Sequence, residues 1–428
     1  MSAAERLREI RTGFQPAFWV ANFTELFERL AYYGPQAVLA IYLHEHLGLT
    51  TEQSTWLIGY YGLIVWFMPI IGGALADRFG FRNTLAGAFF ILAIGNFLLG
   101  SLSASWMAPV REALPLFALM HLLMLVPAMG PAVVKPVVVG TTARAANENV
   151  RTLGYSIYYT VVNIGAAIGP IVASFVRTTV GVESVFIVSA VATLAMAVVT
   201  LLFYREPDRG GEPRVASVAQ AVRNLLLVLK DAKFVTFLVI FSGFWVVFWQ
   251  QYISLPLYIR TYVDPNANID RLLAVEATTV ILCTFLVNYL TRKLPAFPLI
   301  IAGVLISSLS WLFLTLGSGT PFIVAALILL ALGEVTQAPR YYEYISRLAP
   351  PGQQGLFMGY AFLPIGIGYF IAGPVAGRLL NYYGEVVRQP ERMWYVIAAA
   401  GVLTSALLLA YHRFVTRSVA PAPGGASP

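Results

Sequence analysis

Ionisable side chains stand inside some of the most apolar stretches of this 428-residue chain. In ELFERLAYYG, Glu25, Glu28 and Arg29 are followed by Tyr32 and Tyr33. Steps of three and four residues place all five side chains on one face of a helix. Two acids, a base and two phenols can bind ions and move protons, but they cannot face lipid. We expect this face to line a water-accessible cavity, and a purely structural cluster is the alternative.

Two further charged residues each stand alone in an apolar stretch. Lys135 lies in GPAVVKPVVV, and Glu334 lies in LALGEVTQAP. A charge at the centre of a bilayer is costly unless it is paired or hydrated, so each of them needs a partner. A carboxyl group removed from water also keeps a proton more readily, and a nearby base reverses that effect. Glu25, Glu28 and Glu334 are therefore candidate proton carriers.

Weaker candidates are polar side chains at other positions in apolar stretches. Tyr159 and Asn163 are one helical turn apart, and Gln250 follows several aromatic residues. Such residues also serve as packing and interface groups in membrane helices, so both roles stay open. Arg340 and Glu343 have the spacing of a local ion pair near a helix end, which competes equally with a functional role.

The composition indicates that lipid is the main solvent of this chain. Hydrophobic residues make up 58% of it and charged residues only 11%, with a mean hydropathy of +0.73, whereas soluble proteins carry about 25% charged residues. The apolar runs are roughly 20 residues long, which is enough to cross a bilayer. The net charge is +7, but the basic residues form no stripe, so we expect no nucleic-acid partner.

The sequence lacks the residues that several kinds of chemistry require. The one cysteine, Cys283, permits neither a disulfide within the chain nor a zinc site of cysteines. His44 and His46 flank Glu45 in what we interpret as a solvated loop rather than a metal site. Neither a phosphate-binding loop nor a nucleophile–base set in a soluble domain is evident. We therefore expect neither an enzyme nor a cofactor.

The apolar runs predict about twelve membrane helices. Their approximate bounds are 17–44, 53–75, 84–104, 114–140, 153–177, 182–204, 234–262, 272–291, 296–316, 320–347, 355–382 and 392–413. Residues 1–204 then form one six-helix bundle, and 234–413 form a second. The polar linker 205–233 contains a segment suited to a helix on the membrane surface, and 414–428 has the composition of a disordered cytoplasmic tail.

The charges between the predicted helices give an orientation. Lys and Arg are more numerous in the segments on the side of both termini than on the opposite side. This bias predicts cytoplasmic termini in a multi-pass protein of the plasma or inner membrane. Two bundles that rock around a midplane site are typical of secondary transporters, and a charged pair between them can act as a gate.

A loop and motifs at four further, separated places resemble those of a known family. The loop GALADRFGFR, with Asp77, Arg78 and Arg82, resembles the signature loop of the major facilitator superfamily. ELFERLAYYG resembles the ExxER motif of its proton-dependent oligopeptide transporters. The segments that follow in that family's order are Lys135-Pro136, Asn163-x-Gly165-Ala166 and Gly333-Glu334. The resemblance spans nearly the whole chain and implies an all-α major facilitator fold with two six-helix bundles.

The resemblance also implies roles for the site residues. Glu25 and Glu28 would couple protons, with Arg29 as their partner. Arg29 and Lys135 would contact the carboxylate of a peptide, and Glu334 would hold its amino terminus. The further residues expected to line the substrate site are Tyr32, Tyr33, Tyr159, Asn163 and Gln250.

Gating roles follow from the same resemblance. Lys135 and Glu334 would meet across the bundles when the cytoplasmic side is closed, and the signature loop contributes the candidate gating residues Asp77, Arg78 and Arg82. Family members often carry an Arg after the YYG motif and a Glu in the seventh helix, which pair on the outer side. Here the first position is Gln36, and the seventh helix offers Gln250 and Gln251. We therefore expect the outer gate to work without that ion pair.

The sequence therefore predicts a proton-coupled symporter of short peptides or peptide-like zwitterions, with substrate, protons and the lipid bilayer as its partners. Helix 11 reads GYAFL where the family usually has a Trp, which indicates a pocket of different shape. A carrier or exporter of another polar solute or drug is the alternative within the same class. A non-transporting membrane receptor is the alternative from a different class.

Overall fold

The computed structural model describes residues 12–207, 229–317, 319–348 and 360–419. These residues form helices and no β-strand, apart from an isolated bridge between Phe14 and Ala146. The main helices are α1 (Pro16–Ile41), α2 (Thr51–Phe67, continuing as Pro69–Phe79), α3 (Phe81–Gly100), α4 (Leu116–Ala145), α5 (Glu148–Thr179), α6 (Val182–Phe203), α7 (Ala232–Phe248, continuing as Gln250–Tyr258), α8 (Ile269–Thr291), α9 (Ala296–Ser310), α10 (Thr320–Leu348), α11 (Leu363–Leu380) and α12 (Met393–Val419).

Shorter elements extend or connect these helices. Single π-helical turns prolong α1, α7 and α11, at Tyr42–His46, Ile259–Val263 and Asn381–Val386. The connections contain the helices Ala108–Ala113 and Phe313–Leu316 and the 3₁₀ turns Ser105–Met107 and Pro390–Arg392.

Helix length and composition identify an integral, multi-pass membrane protein. Among the described residues, ten helical segments are long and apolar enough to cross a bilayer. Neither α1 nor α2 is among them, and α1 carries the buried side chains of Glu25, Glu28 and Arg29. The predicted all-α membrane class is thereby confirmed.

Local signals account for the helix boundaries around α2. Thr50 begins it with a capping box: its Oγ1 accepts a hydrogen bond from the Gln53 amide at 3.2 Å, and its own amide donates to Gln53 Oε1 at 3.1 Å. The helix ends at Gly80, whose φ of +85° lies in the region that favours glycine. Several boundaries differ from the sequence prediction by a few residues: α4 continues to Ala145, beyond 140, α5 begins at Glu148, before 153, and α12 continues to Val419, beyond 413. The predicted start of helix 11 at 355 lies outside the described residues.

Two predicted segments fall largely outside the described part of the chain. These are the membrane-surface helix of the linker, most of which lies in 208–228, and the tail, of which 420–428 are not described. At the start of the linker, Glu206 accepts hydrogen bonds from the backbone amides of Phe81 and Arg82, at 2.7 and 3.0 Å. The loop between α2 and α3 is thereby attached to the end of α6.

Glycines bring specific helices into close contact. In the first bundle, Gly169 of α5 packs against Gly34 of α1, where an added Cβ would lie 3.1 Å from the Gly34 nitrogen. Between the bundles, Gly373 of α11 packs against Gly59 of α2, where a Cβ added to Gly373 would lie 3.0 Å from the Gly59 Cα. Larger side chains would separate these helices, so the glycines set the helix spacing around the site.

The helices alternate in direction, which gives the molecule two faces. The termini face contains the start of α1 and the end of α4, joined by the Gln15 amide and the Ala145 carbonyl at 2.8 Å. The far face is the opposite one, where the Tyr42 hydroxyl donates to the Leu99 carbonyl at 2.6 Å. The termini face and the far face are ends of the molecule and do not denote the inside or outside of the membrane.

Candidate functional site

The charged face of α1 forms one buried cluster. Arg29 lies between two acids: its Nε is 3.2 Å from Oε1 of Glu25, and it also pairs with Glu28. All three residues are at most 1% exposed. Gly165 of α5 leaves the space for them, because a Cβ there would clash with the side chain of Arg29. The helical repeat and one glycine thus position the cluster.

Several hydrogen-bond acceptors in this cluster have no donor among the described residues. Within the described residues, both carboxylate oxygens of Glu25 and Oε1 of Glu28 have no hydrogen-bond partner. Buried polar atoms are normally hydrogen-bonded, and an unpaired one is costly. A proton on either carboxyl group would remove an unpaired charge, so the cluster has the chemistry of a proton-binding site.

Tyr32 and Lys135 extend the cluster towards aromatic side chains. The guanidinium carbon of Arg29 lies 5.3 Å from the centre of the Tyr32 ring. The Lys135 ammonium of α4 lies 3.4 Å from the centre of the Trp66 ring of α2, which is a cation–π contact. Lys135 also interacts electrostatically with the acids of α1. The bases expected to contact a carboxylate are therefore both on the first bundle, close to one another.

Glu334 of α10 faces another acid, Glu276 of α8. The two carboxyl groups are close enough to interact electrostatically. Glu276 is 5% exposed, and Glu334 is half-buried. The sequence reasoning missed Glu276, although the signal was the one that identified Glu334: an isolated acid within an apolar run, here AVEATTVIL. The pairing of Lys135 with Glu334, expected for a state closed at the termini face, stays a prediction.

Tyrosines of the first bundle reach the acids of the second. Tyr33 of α1 and Tyr159 of α5 interact electrostatically with both Glu276 and Glu334. The rings of Tyr32 and Tyr33 meet edge to face with their centres 5.1 Å apart. Because Tyr33 neighbours both the Arg29 cluster and the acid pair, the two charged groups face a common region between the bundles.

Asn163 and Gln250 make local hydrogen bonds. The Asn163 amide donates to the Tyr159 carbonyl at 2.8 Å. Gln250 is fully buried, donates to the Val246 carbonyl at 3.0 Å and pairs with Ser254. A substrate contact by Gln250 would require that this side chain reorient.

The candidate gating residues of the α2–α3 loop lie at the termini face. The Arg78 guanidinium packs over the Phe79 ring at 5.3 Å, and Arg82 donates to the Leu201 carbonyl of α6. The side chain of Asp77 is outside the described part of the structure. Arg340 and Glu343 form the local ion pair that their spacing predicts, with 3.0 Å between nitrogen and oxygen.

Ion pairs close the far face between the two bundles. Arg177 of α5 binds Asp270 of α8 through Nε and Nη2, both 2.8 Å from Oδ2. Arg260 binds both oxygens of Glu45, at 2.9 and 2.7 Å. Asp270 is fully buried, whereas the Glu45 side chain is 34% exposed. These pairs link helices of different bundles at their far-face ends.

Neutral polar contacts add to this closure. Gln36 of α1 donates to the Tyr369 hydroxyl of α11, and Ser174 donates to Asn268 at 2.9 Å. These hydrogen bonds and ion pairs between the bundles lie in the far half of the molecule. The structure therefore represents a state closed at the far face.

Comparisons with known proteins agree with this architecture. The sequence matches the Major Facilitator Superfamily over residues 22–266 and 267–428. It is 24% identical over 374 residues to a protein named "Multidrug resistance protein MdtH" from Aeromonas salmonicida (strain A449), covering 85% of this chain and 89% of that protein.

Solved structures with the same fold include one in complex with 5-aminolevulinic acid and one of a nucleoside transporter. A POT family transporter in complex with 5-aminolevulinic acid superposes with a TM-score of 0.76 at 17% identity, over 93% of this chain and 96% of that one. A mutant of the nucleoside transporter NupG gives the same TM-score of 0.76 at 13% identity, over 92% and 99%. The likeness therefore identifies the fold and leaves the substrate to the residues of the site.

Proposed function

Since this chain belongs to the Major Facilitator Superfamily, a family of membrane transporters, we propose that it is a proton-coupled symporter of short peptides or peptide-like zwitterions. One observation carries the proposal: opposite charges flank the region between the bundles. Arg29 and Lys135 lie on the first bundle, and Glu334 lies on the second. A molecule with a carboxylate at one end and an ammonium at the other meets a favourable charge at both ends.

Proton coupling is assigned to the acids of both bundles. Glu25 and Glu28 share Arg29 and retain oxygens without hydrogen-bond partners among the described residues. In the proposed cycle, a substrate carboxylate competes with these acids for Arg29, and a proton replaces the lost partner. Proton uptake and substrate binding then favour each other, as symport requires.

Alternating access is assigned to rocking of the two bundles around this site. With the termini in the cytoplasm, as the positive charges predict, the far face is the outer face, and the described state is closed to the outside. Opening it requires breaking the Arg177–Asp270 and Arg260–Glu45 pairs. Closure of the termini face would then bring Lys135 to Glu334.

The test is uptake into proteoliposomes with an imposed proton gradient. Wild-type protein is offered a radiolabelled dipeptide in competition with unlabelled di- and tripeptides, N-acetyl dipeptide, dipeptide amide and a neutral disaccharide. We expect gradient-driven uptake, inhibition by the free peptides, and weaker inhibition by the capped forms and the sugar. Equal inhibition by the capped forms or by the sugar would contradict peptide recognition by both charges.

A second candidate function is transport of a drug or another polar solute. The observation that favours it is the similarity to MdtH, which carries the name of a multidrug resistance protein and is matched over 85% of this chain. In this case a lipophilic cation would compete for the site better than a dipeptide. The same competition assay distinguishes the two candidates when tetraphenylphosphonium is added to the panel.

A further inference from the structure

A pocket opens at the far face between the two bundles, outside the proposed substrate site. It has a volume of about 220 Å³ and lies where the first turns of α2 and α4 meet the last turns of α11. Its lining residues are Glu52, Gln53, Trp56, Phe117, Pro374 and Arg378. We propose that this pocket binds the headgroup of an ethanolamine phospholipid, and that the bound lipid favours the far-face-closed state. Such binding is independent of which solute the protein transports.

Two opposite charges line the pocket without neutralising each other. Glu52 lies on the first bundle and Arg378 on the second, and both residues are exposed. Among the described residues, neither takes part in an ion pair. Oε1 of Glu52 accepts a hydrogen bond from Nδ2 of Asn381 at 3.0 Å, which positions the carboxylate. A ligand that carries both charges can therefore contact both groups at once.

Each charged group selects one part of the headgroup. A guanidinium presents paired N–H donors that match two phosphate oxygens, so Arg378 suits a phosphodiester. A carboxylate accepts hydrogen bonds and donates none, so Glu52 suits a positively charged group with N–H donors. The primary ammonium of ethanolamine has the charge and the donors. A choline headgroup lacks the donors, and a glycerol headgroup lacks the charge.

The walls of the pocket favour a lipid over a solute from the water. Trp56 is 37% exposed, and its Nε1 donates a hydrogen bond to Nε2 of His121 at 3.1 Å. An exposed Trp near the end of a membrane helix is typical of the level of the lipid headgroups. Phe117 and Pro374 add apolar surface. The pocket is smaller than the roughly 300–1,000 Å³ that enclose a drug-sized ligand, so it suits a headgroup whose acyl chains stay in the bilayer.

The pocket adjoins a close contact between α2 and α11. A Cβ added to Gly377 would lie 2.5 Å from Oγ1 of Thr55 and 3.0 Å from the Cα of Glu52. Opening the far face separates these two helices and thereby moves Glu52 away from Arg378. A headgroup held by both charges therefore binds better to the closed state, and by linkage it raises the population of that state.

The first experiment measures lipid binding to purified full-length protein by native mass spectrometry. Phospholipids with ethanolamine, choline and glycerol headgroups and identical acyl chains are titrated, so that differences in affinity arise from the headgroup. We expect the ethanolamine lipid to bind about two- to fivefold more tightly than each of the others, which corresponds to the contribution of an exposed ion pair. Equal binding of the three lipids would refute headgroup recognition.

Two variants separate the two contacts. Arg378→Gln removes the phosphate contact, so all three lipids should bind more weakly. Glu52→Gln keeps an acceptor for Asn381 but removes the negative charge, so the preference for the ethanolamine over the glycerol headgroup should disappear. The matched controls are Arg271→Gln and Glu112→Gln, at exposed positions, and both should keep the wild-type preference. Wild-type binding by Arg378→Gln, or an unchanged preference in Glu52→Gln, would contradict the assigned contacts.

A competition distinguishes a lipid from a soluble zwitterion. Free phosphoethanolamine and alanylalanine are each added at the same concentration as the ethanolamine lipid. Neither should displace it, because both lack the acyl chains that hold the lipid beside the apolar walls. Displacement by either compound would mean that the pocket takes a solute from the water, which overturns the lipid assignment.

The conformational effect is measured by pulsed electron resonance in liposomes. Spin labels are placed at Val180 and Thr261, both exposed at the far face, in a background with Cys283→Ser. Ethanolamine lipid should give a larger far-face-closed population than choline lipid, and Arg378→Gln should abolish the difference. Identical populations in the two lipids would refute the effect on the closed state. Whether peptides are transported alters neither lipid readout, so failure of the peptide function is distinguishable from failure of the lipid site.

Discussion

The charged cluster of α1 and the acid pair of α8 and α10 differ in how their carboxyl groups are compensated. In the first, Arg29 is shared by Glu25 and Glu28, and all three are buried. In the second, Glu276 and Glu334 face each other, and neither Lys nor Arg is among the described groups that act on them. Removing a charge should therefore have opposite consequences: it leaves buried charge unbalanced in the first bundle and relieves repulsion in the second.

This difference arises from the position of Arg29 relative to the acids. Arg29 belongs to the same helical face as its acids, so its position is fixed by the α-helical repeat. The acid pair, in contrast, is assembled from two helices of the second bundle and is faced by tyrosines of the first. The neighbours of the acid pair lie on the opposite bundle, so its environment changes when the bundles rock. The Arg29 cluster lies within one helix and keeps its partners.

The largest effect is expected from Glu28→Gln. Because the substituted amide could neither carry a proton nor pair with Arg29 as a charge, gradient-driven uptake should be lost while substrate exchange is partly spared. The measurement compares both modes in the same proteoliposomes, with Glu112→Gln as the exposed control. Gradient-driven uptake equal to that of the wild type would refute the coupling role of Glu28.

The next effect concerns stability and tests the comparison directly. Arg29→Met leaves two buried carboxyl groups without their base, and breaking a buried pair in this way typically costs about 3–5 kcal/mol of unfolding free energy. Glu276→Gln keeps a donor for Glu334 and should change the free energy of unfolding little. Thermal unfolding of purified protein measures both, with Arg271→Met at an exposed position as the control. A similar change in Tm for both variants would show that the Arg29 cluster and the acid pair do not differ in how their charges are compensated.

A smaller effect is expected at the buried ion pair of the far face. Asp270→Asn removes the charge that holds Arg177 across the bundles, so the population of the far-face-closed state should fall. Spin labels at Val180 and Thr261, both exposed at that face, report the separation of the bundles by pulsed electron resonance in a background with Cys283→Ser. Longer distances are expected for Asp270→Asn than for the wild type. Identical distance distributions would show that this pair does not hold the face closed.

The sequence predicted what depends on local repeats. The α1 face and the Arg340–Glu343 pair both follow from spacings of three or four residues, which the helix converts directly into contacts. Glu276 was within reach of the same reasoning, but in the sequence it has neither a base nor a family motif beside it.

Contacts between the bundles could not be predicted in this way. Arg177 and Asp270 are 93 positions apart, and Arg260 and Glu45 are 215 apart. Their meeting depends on the relative rotation of whole helices and on the conformational state, neither of which leaves a period in the sequence. Gln36 shows this well: its neutral side chain indicates from the sequence only that it forms no ion pair, and its partner, Tyr369, became visible only in the structure.

The smallest effect is expected at the second ion pair of the far face, between Arg260 and Glu45. Its geometry is good, with two nitrogen–oxygen contacts of 2.9 and 2.7 Å, but the Glu45 side chain is 34% exposed. Exposed pairs contribute about 0–1 kcal/mol, and salt weakens them further. Glu45→Gln should therefore shift the spin-label distances much less than Asp270→Asn, and the shift should shrink as the salt concentration rises. A double-mutant cycle with Arg260→Gln isolates the pair from other effects of either substitution. A coupling free energy as large as that between Arg177 and Asp270, or one insensitive to salt, would mean that burial does not determine the relative strength of the two pairs. The bidentate geometry of the Arg260–Glu45 pair would then account for its contribution to holding the far face closed.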